Sequence, residues 1–555
     1  MKRLSKFATL ALIALVLSAC AKLPMLAANE VGPEVVSKDK SESLYYSPQG
    51  PIKGSNQQEI LTDFLYAGNG PQNDYAVARQ FLTVPFSSRW NPNAETLIQT
   101  GSTETISNTG TKVRLLVHYD AKVNADGTYV ATPGESRILE FRLLQENGEW
   151  RISSAPDLTA LLHPNFVVLF QAIPVYFWDR AFAYLVPEIR WFPTKASLAT
   201  RLTNAIIAGP TPWLAPAVQD LIPKGTKLSI NSVTVNHGTA NIDFNSSALK
   251  LPNWKRPYLH SQLLATLASV SGLTQVKISF ERTVQDIPLG SSGMPDNPSN
   301  LPVVLNSDGL GHMAGGAIFQ ITGTKELVDA QKATDFAISD DETMLALYSK
   351  LGVTSNSLGI LGSKSQVVDN RPKLIMPSID PFNAIWTTSS LPGSSIRVTT
   401  TSGEAAELPN PLGNASIAQL VVSPEGSRVA MIRASKAGRV IELIPVIRDK
   451  SRRVSGFGQP VRISAIGQRV DSISWVNNTT INALATNVIG AQNVDEIMIG
   501  GESTNGRLTV GGQSVVTTVG GSQYYLDHLG SLFVSKTFGW EPQQAGVLAV
   551  HMAGQ

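Results

Sequence analysis

The only cysteine in the 555-residue chain is Cys20, and its surroundings define its chemistry. It follows Leu17, Ser18 and Ala19. Small side chains at 18 and 19 leave the bond between Ala19 and Cys20 open to a peptidase. Once that bond is cut, the thiol can take a diacylglyceryl group and the freed α-amine a further acyl chain. Upstream, Lys2, Arg3 and Lys6 make a positive start, and residues 7–17 are apolar or small. This is the pattern of an export signal. The apolar run is too short for a spanning helix, which needs roughly 20 residues.

The other residues that could do chemistry do not assemble into a site. His118, His163, His237, His260, His312, His528 and His551 include no His-Glu-x-x-His and no zinc-ligand spacing. A chain with one cysteine has no thiolate metal site, no internal disulfide and no thiol catalyst beyond Cys20. No Gly-x-Ser-x-Gly elbow occurs. Ser37-Lys38-Asp39-Lys40 fits an acyl-serine pattern but lies in a polar segment with nothing to desolvate the lysine. Gly309-Leu310-Gly311-His312-Met313-Ala314 fits a dinucleotide fingerprint, yet a strand-like segment follows it, so it reads as a turn. Asp340-Asp341-Glu342 reads as a solvated turn, with a cation site as the rival. Trp386, Trp475 and Trp540 are blade core or the lining of a sugar groove. Trp191, Trp213 and Trp254 are expected where domains meet. Arg448, Lys450, Arg452 and Arg453 form a basic loop, read as a solvated connection, with contact to anionic lipid or a partner as the alternative. No catalytic, metal or cofactor-binding residue is assigned, and an enzyme is not expected.

The elements that carry these residues fall into blocks. Residues 1–19 are the export signal, and Leu-Ser-Ala-Cys matches the bacterial lipobox, with cleavage between Ala19 and Cys20 and lipidation at Cys20. Residues 20–54 are a polar, mixed-charge tether. Residues 55–194 read as an α+β domain with connecting strands. Ile60, Leu61, Phe64 and Leu65 have helical spacing, and a second helix is expected near 75–82. Val113, Leu115, Val117, Tyr119, Ala121 and Val123 alternate as one buried face of a long strand. Asn147-Gly148 closes a hairpin. Helices followed by an antiparallel sheet resemble the nuclear transport factor 2 fold. The stretch 158–178 lacks Asp, Glu, Lys and Arg, but Pro164, Pro174 and polar groups argue against a membrane span, so buried strands joining two domains are expected.

Residues 195–290 give helix, hairpin, helix, strand, with Gly209-Pro210, Ile222-Pro223-Lys224-Gly225-Thr226, Val233-Thr234-Val235 and Ala240-Asn241-Ile242-Asp243-Phe244. This resembles the GerMN domain. Residues 291–302 are a Gly/Pro/Ser-rich linker. In 303–555, strand-turn-strand units recur around Ser339, Asp380, Ser423 and Trp475 at steps of roughly 40–50 residues, the mark of propeller blades. About five or six blades are expected, with a β-sandwich as the alternative. The chain is therefore read as multidomain: α+β N-terminal domains, then an all-β propeller.

Composition fits this reading. A hydrophobic fraction of 43% is enough for several cores, and a formal net charge of +2 gives no electrostatic case for nucleic acid. Together, lipobox, nuclear transport factor 2-like domain, GerMN domain and propeller resemble the actinobacterial LpqB lipoprotein family. Tyr176-Phe177, Leu185-Val186-Pro187-Glu188 and Arg190-Trp191 resemble its inter-domain segment. The resemblance implies a lipid-anchored protein on the outer face of the cell membrane. It also implies binding to the extracytoplasmic part of a sensor histidine kinase of the MtrB–MtrA type, which tunes cell-wall and division responses. A cell-wall glycan binder is the alternative.

Overall fold

The computed structural model describes residues 48–555 except 195–196, 296–300, 360–363, 437, 464–468 and 488. Ala19 and Cys20 lie outside the described residues, as does the tether up to residue 47. Residues 48–555 form one compact unit.

Its first helix, Gln57–Ala67, starts where Asn56 accepts the N–H groups of Gln58 and Glu59, while Glu59 accepts that of Asn56. This capping box satisfies donors the helix cannot pair itself. Ile60, Leu61 and Phe64 are buried against a six-stranded sheet. In that sheet Lys112–Asn124 buries alternate side chains and pairs with Tyr129–Glu146. The Asn147-Gly148 turn has φ of 55° and 82°, as a two-residue hairpin requires. The expected second helix is shorter than 75–82. It spans Ala76–Arg79, because Tyr75 is left-handed and the chain beyond Arg79 bonds to a strand: Phe81 O accepts Ile152 N–H, and Ile152 O accepts Thr83 N–H.

The uncharged stretch is not strand throughout. Strand Thr159–Leu162 leads into helix His163–Leu169, then strand Phe170–Trp178. Pro164 sits in the first helical turn, where its missing N–H is tolerated. Phe166 stacks on Phe170 at 5.0 Å between ring centroids and lies tilted against Trp191 at 4.9 Å. Phe170–Trp178 and Leu185–Pro193 form a hairpin shared by two cores. Ile173, Val175, Phe177 and Val186 pack with Leu202, Ile206, Leu259 and Leu263 of the next domain. Phe170, Ile189 and Trp191 pack with Ile98, Ala121 and Val123 of the first.

The next domain has the expected order. Helix Leu198–Ala208 precedes the hairpin Thr234–Asn236/Thr239–Phe244, then helix Arg256–Leu267 crosses over to Gln275–Phe280, which pairs parallel to Thr239–Phe244. The linker beyond is pinned at Gly293, whose carbonyl accepts Leu185 N–H at 2.6 Å. Gly293 has φ +65°, and a Cβ there would meet the Trp178 ring at 2.3 Å.

The remaining strands form six blades, not a sandwich. Blade 1 is Val303–Asn306, Gly309–Ala314 and Ala317–Gln320, completed on its inner side by Ala549–His551. Blade 2 runs from Asp335–Ile338 to Gln366–Asp369, and blade 3 from Ser378–Ile379 to Ala405–Leu408. Blade 4 contains Ser416–Val422, Arg428–Ser435 and Gly438–Arg448, edged by Val454–Phe457 and Val461–Ile463. Blade 5 runs from Arg469–Asn477 to Ser503–Thr509, and blade 6 from Gly512–Thr517 to Gly539–Gln544. The inner strands neighbour one another in a closed ring, with Ala549–His551 between blades 6 and 2. A late strand completing the first blade ties the two ends of the ring together through Val303↔His551 and Val304↔Val550.

Two expectations need correcting here. Ser339, Asp380 and Ser423 do open equivalent turns after the inner strands, but Trp475 lies inside its strand. Gly309–Ala314 is a strand rather than a turn. Gly311 is needed there because a Cβ would meet Ile318 at 2.5 Å and the Phe319 carbonyl at 2.9 Å.

Candidate functional site

Leu185–Pro193 and the turn before it lie over the turns of blades 3, 4 and 5, and charged side chains fasten them there. At blade 3, Tyr184 lies against Phe382 at 5.6 Å between centroids. Arg448 stands over Phe382 at 4.7 Å and is buried. It donates to Asp380 at 2.7 Å, to Gly426 O at 2.8 Å and to Arg452 O at 2.9 Å. Asp380 also accepts the Trp386 indole N–H at 2.9 Å. The basic loop is thus not solvated at its first residue, because Arg448 is the internal tie between blades 3 and 4. Lys450, Arg452 and Arg453 are exposed, and Arg453 pairs with Glu404 at 2.6 Å. Asp179, within reach of the charge of Arg448 and Arg452, accepts Ala183 N–H at 2.7 Å and Tyr184 N–H at 3.3 Å through Oδ1, while its Oδ2 has no partner. Burial pushes this carboxyl up, against the pull of those backbone N–H groups and of Arg448 and Arg452.

At blade 4, Arg428 and Glu425 are both buried and joined at 2.7 Å. Ser423 Oγ donates to the same carboxylate at 2.6 Å. Arg428 also donates to Asn478 O of blade 5 at 2.5 Å and to Pro187 O at 3.4 Å, and it stacks over Trp475 at 5.4 Å. At blade 5, Trp191 donates its indole N–H to Gly500 O at 3.0 Å, and His163 Nε2 lies 2.9 Å from Glu502. On the other side of the strand, buried Arg190 binds Glu188 at 2.6 Å and Gly209 O at 2.8 Å. Thr211 donates to Glu188 as well. The three domains are therefore interlocked through one segment.

Beside this junction a cleft of about 810 Å³ opens between the first sheet and blades 4 and 5. Asp120, Tyr129, His163, Arg462, Met498 and Glu502 line it. A second cavity, of about 300 Å³, lies inside the first domain between Leu61, Leu65, Gln99, Thr103, Leu115 and Asn165.

The remaining candidates resolve individually. Trp386 and Trp475 are fully buried blade core, so the sugar-groove reading fails for both. Trp540 meets Tyr525 edge-on at 4.7 Å and donates to Leu508 O. Trp191 and Trp213 do lie where domains meet, with Trp213 donating to Gln459 O at 2.9 Å. Trp254 is exposed. Asp341 caps its turn. Burial would raise it, but hydrogen bonds from Ser339, Thr343 and Asn383 outweigh that and hold it at about 2. Glu342 faces His312 at 3.2 Å. Among the described residues no three His, Cys, Asp or Glu side chains group as a metal site. None of their helices is long and apolar enough to cross a membrane. Sequence reasoning missed Glu188, Arg190, Glu425 and Arg428 as structural ties. The signal available for Glu188, Arg190 and Arg428 was charge within apolar strand runs, whereas Glu425 lies in a turn and carried none.

Comparison with known proteins gives three matches along the chain. "Lipoprotein LpqB, N-terminal domain" matches residues 50–167, "Sporulation and spore germination" 174–285, and "Lipoprotein LpqB beta-propeller domain" 308–548. None of these descriptions names an enzyme. Lipoprotein LpqB of Nocardia farcinica is 24% identical over 572 residues, covering 95% of this chain and 92% of that one. Lipoprotein LpqB of Cutibacterium acnes is 25% identical over 288 residues, 52% of this chain, and the match spans about half (48%) of that relative's length. Among solved structures, TolB from Acinetobacter baumannii aligns with a TM-score of 0.35 at 13% identity, over 46% of this chain and 65% of that one. With both LpqB domain descriptions matched in order around a spore-germination domain, the chain belongs to the LpqB lipoprotein family.

Proposed function

We propose that the protein is a non-enzymatic accessory of a sensor histidine kinase in a two-component system of the MtrB–MtrA type. Acyl chains on Cys20 hold it on the outer face of the cell membrane, and it tunes cell-wall and division responses there. The observation that carries this reading is the cleft between the first domain and blades 4 and 5, set beside an interlocked junction. A partner segment in that cleft touches two domains at once and pays little entropy for ordering them, since they are already fixed. The cleft offers both an apolar floor, Met498 and Ile98, and charged groups, Asp120, Arg462 and Glu502, which suits a polypeptide partner. Tethering both proteins to one membrane raises their effective concentration further.

The test is the affinity of residues 48–555 for the kinase's extracytoplasmic domain. Binding at roughly micromolar or tighter, about −8 kcal/mol, is expected, weakened about tenfold by Arg462→Glu. Absence of binding at high micromolar concentration overturns the proposal.

A further inference from the structure

The propeller face opposite the interlocked junction carries a repeated turn. Blade strands alternate in direction, so turns joining second to third strands emerge together with the connections that lead into each inner strand. The junction contacts, by contrast, lie at the other end, at turns such as 379–385, 422–428 and 498–503. In five blades the second-to-third-strand turn is built alike. A side-chain oxygen accepts the backbone N–H two residues on: Asn306 from Asp308 at 2.9 Å, Ser349 from Leu351 at 3.2 Å, Ser389 from Leu391 at 3.3 Å, Asn487 from Ile489 at 3.1 Å, and Asp527 from Leu529 at 2.9 Å. In all but the Leu391 turn, a glycine with positive φ follows. The geometry sends the side chain of that third residue into solvent. Nothing in the turn requires it to be apolar, as Asp308 shows.

Yet four of the five are Leu or Ile. Leu351, Ile489 and Leu529 are 81, 85 and 89% exposed, and Val510 in the connection into blade 6 is 85% exposed. Leu391 and Leu548 add two partly exposed aliphatics on the same face. Isolated exposed apolar residues are ordinary, but their repetition at one structural position is not. Cations accompany them. Lys350 precedes Leu351, Lys436 lies on the blade 4 turn, and Lys373 O accepts the Ser390 hydroxyl beside Leu391, with all three lysines exposed. Helix Thr324–Gln331, on the same face, carries Lys325 with Glu326 and Asp329. Asp308 is the acid among the turn tips.

From this geometry we infer that the face is a membrane-binding surface, whose aliphatic tips insert between the headgroups of an anionic bilayer while Lys350, Lys373 and Lys436 meet the phosphates. The tips stand on separate blades with polar turn backbone between them. A rigid protein partner needs one continuous apolar patch, whereas a fluid bilayer accepts several separate side chains. Lysines beside the tips complement anionic lipid. This inference does not depend on the kinase reading or on acylation.

The test uses residues 48–555, the compact unit without Cys20. Sedimentation with vesicles of phosphatidylglycerol and phosphatidylcholine in equal parts is compared with phosphatidylcholine alone. Binding to the mixed vesicles is expected, and the triple variant Leu351→Ser, Ile489→Ser, Leu529→Ser weakens it by roughly tenfold per side chain. Lys350→Glu with Lys373→Glu and Lys436→Glu weakens it by about fivefold per lysine at low salt. Phe538→Ser, on the opposite face, leaves it unchanged. An unaltered thermal midpoint confirms that the variants fold, as exposed turn positions allow. No binding to the mixed vesicles overturns the inference. So does equal binding by the triple variant, and so does self-association in solution that the triple variant abolishes, since the face would then be a contact between copies.

Discussion

Replacing Arg428 with methionine removes the counter-charge of a carboxylate that has no access to water. Glu425 is wholly buried, and Arg428 supplies its only charged partner among the described residues. After the change Glu425 keeps only the Ser423 hydroxyl. Breaking a buried pair by removing one member costs about 3–5 kcal/mol. Two carbonyls, Asn478 O and Pro187 O, lose their donor as well. For a domain of this size the expected fall in the propeller's thermal midpoint is roughly 10 °C. The double variant Glu425→Gln with Arg428→Met removes the stranded charge and leaves mainly the two carbonyls unpaired, about 1 kcal/mol each. It is expected to recover half or more of the loss. The assay is thermal unfolding of residues 48–555 followed by tryptophan fluorescence, to which Trp475, 5.4 Å from the guanidinium, reports directly. A loss under about 1 kcal/mol for the single variant, or a double variant no better than the single, refutes the claim that these ties fix the hairpin to the blades.

Two further outcomes are expected. Asp179→Asn stabilises the protein near neutral pH, because burial raises the folded pKa of Asp179 above its ordinary 3.8. The native state then binds the proton more tightly than the unfolded chain, so ionisation above the folded pKa costs stability. The advantage of the variant shrinks as pH falls and is gone below about 3.8, where both states are protonated, which midpoints measured across pH will show. Trp191→Phe keeps the ring packing with Phe166 but loses the donor to Gly500 O, and costs about 1 kcal/mol. It raises protease sensitivity at the junction between the first domain and blade 5, and unchanged cleavage there refutes that role.

Much of the fold was legible locally. The helical spacing of Ile60, Leu61, Phe64 and Leu65 announced the helix Gln57–Ala67, alternation announced the strand Lys112–Asn124, and Asn147-Gly148 announced a hairpin turn whose two residues have φ of 55° and 82°. Each is a pattern over a few residues, and each depends on backbone chemistry the sequence carries itself. The lipidation expected at Cys20 rests on its sequence neighbours alone and lies outside the described residues. Helix Ala76–Arg79 was overestimated because Thr83 and Phe81 bond to Ile152, a partner invisible to local spacing.

The site was less legible. Arg448 sits in a run of basic residues that looks solvated, yet its partner Asp380 is 68 residues away. Pro187 O and Arg428 are separated by 241 residues, and Trp191 and Gly500 by 309. The sequence by itself determined the order of domains, the periodicity of their elements and the approximate number of blades, since these follow from local alternation and turn chemistry. Only the tertiary structure decided that the ring has six blades closed by Ala549–His551, that Trp386 and Trp475 face the core, and that one hairpin locks three domains together. Those outcomes depend on which distant groups meet where water is excluded, and a buried charge reveals its partner only once both are in place.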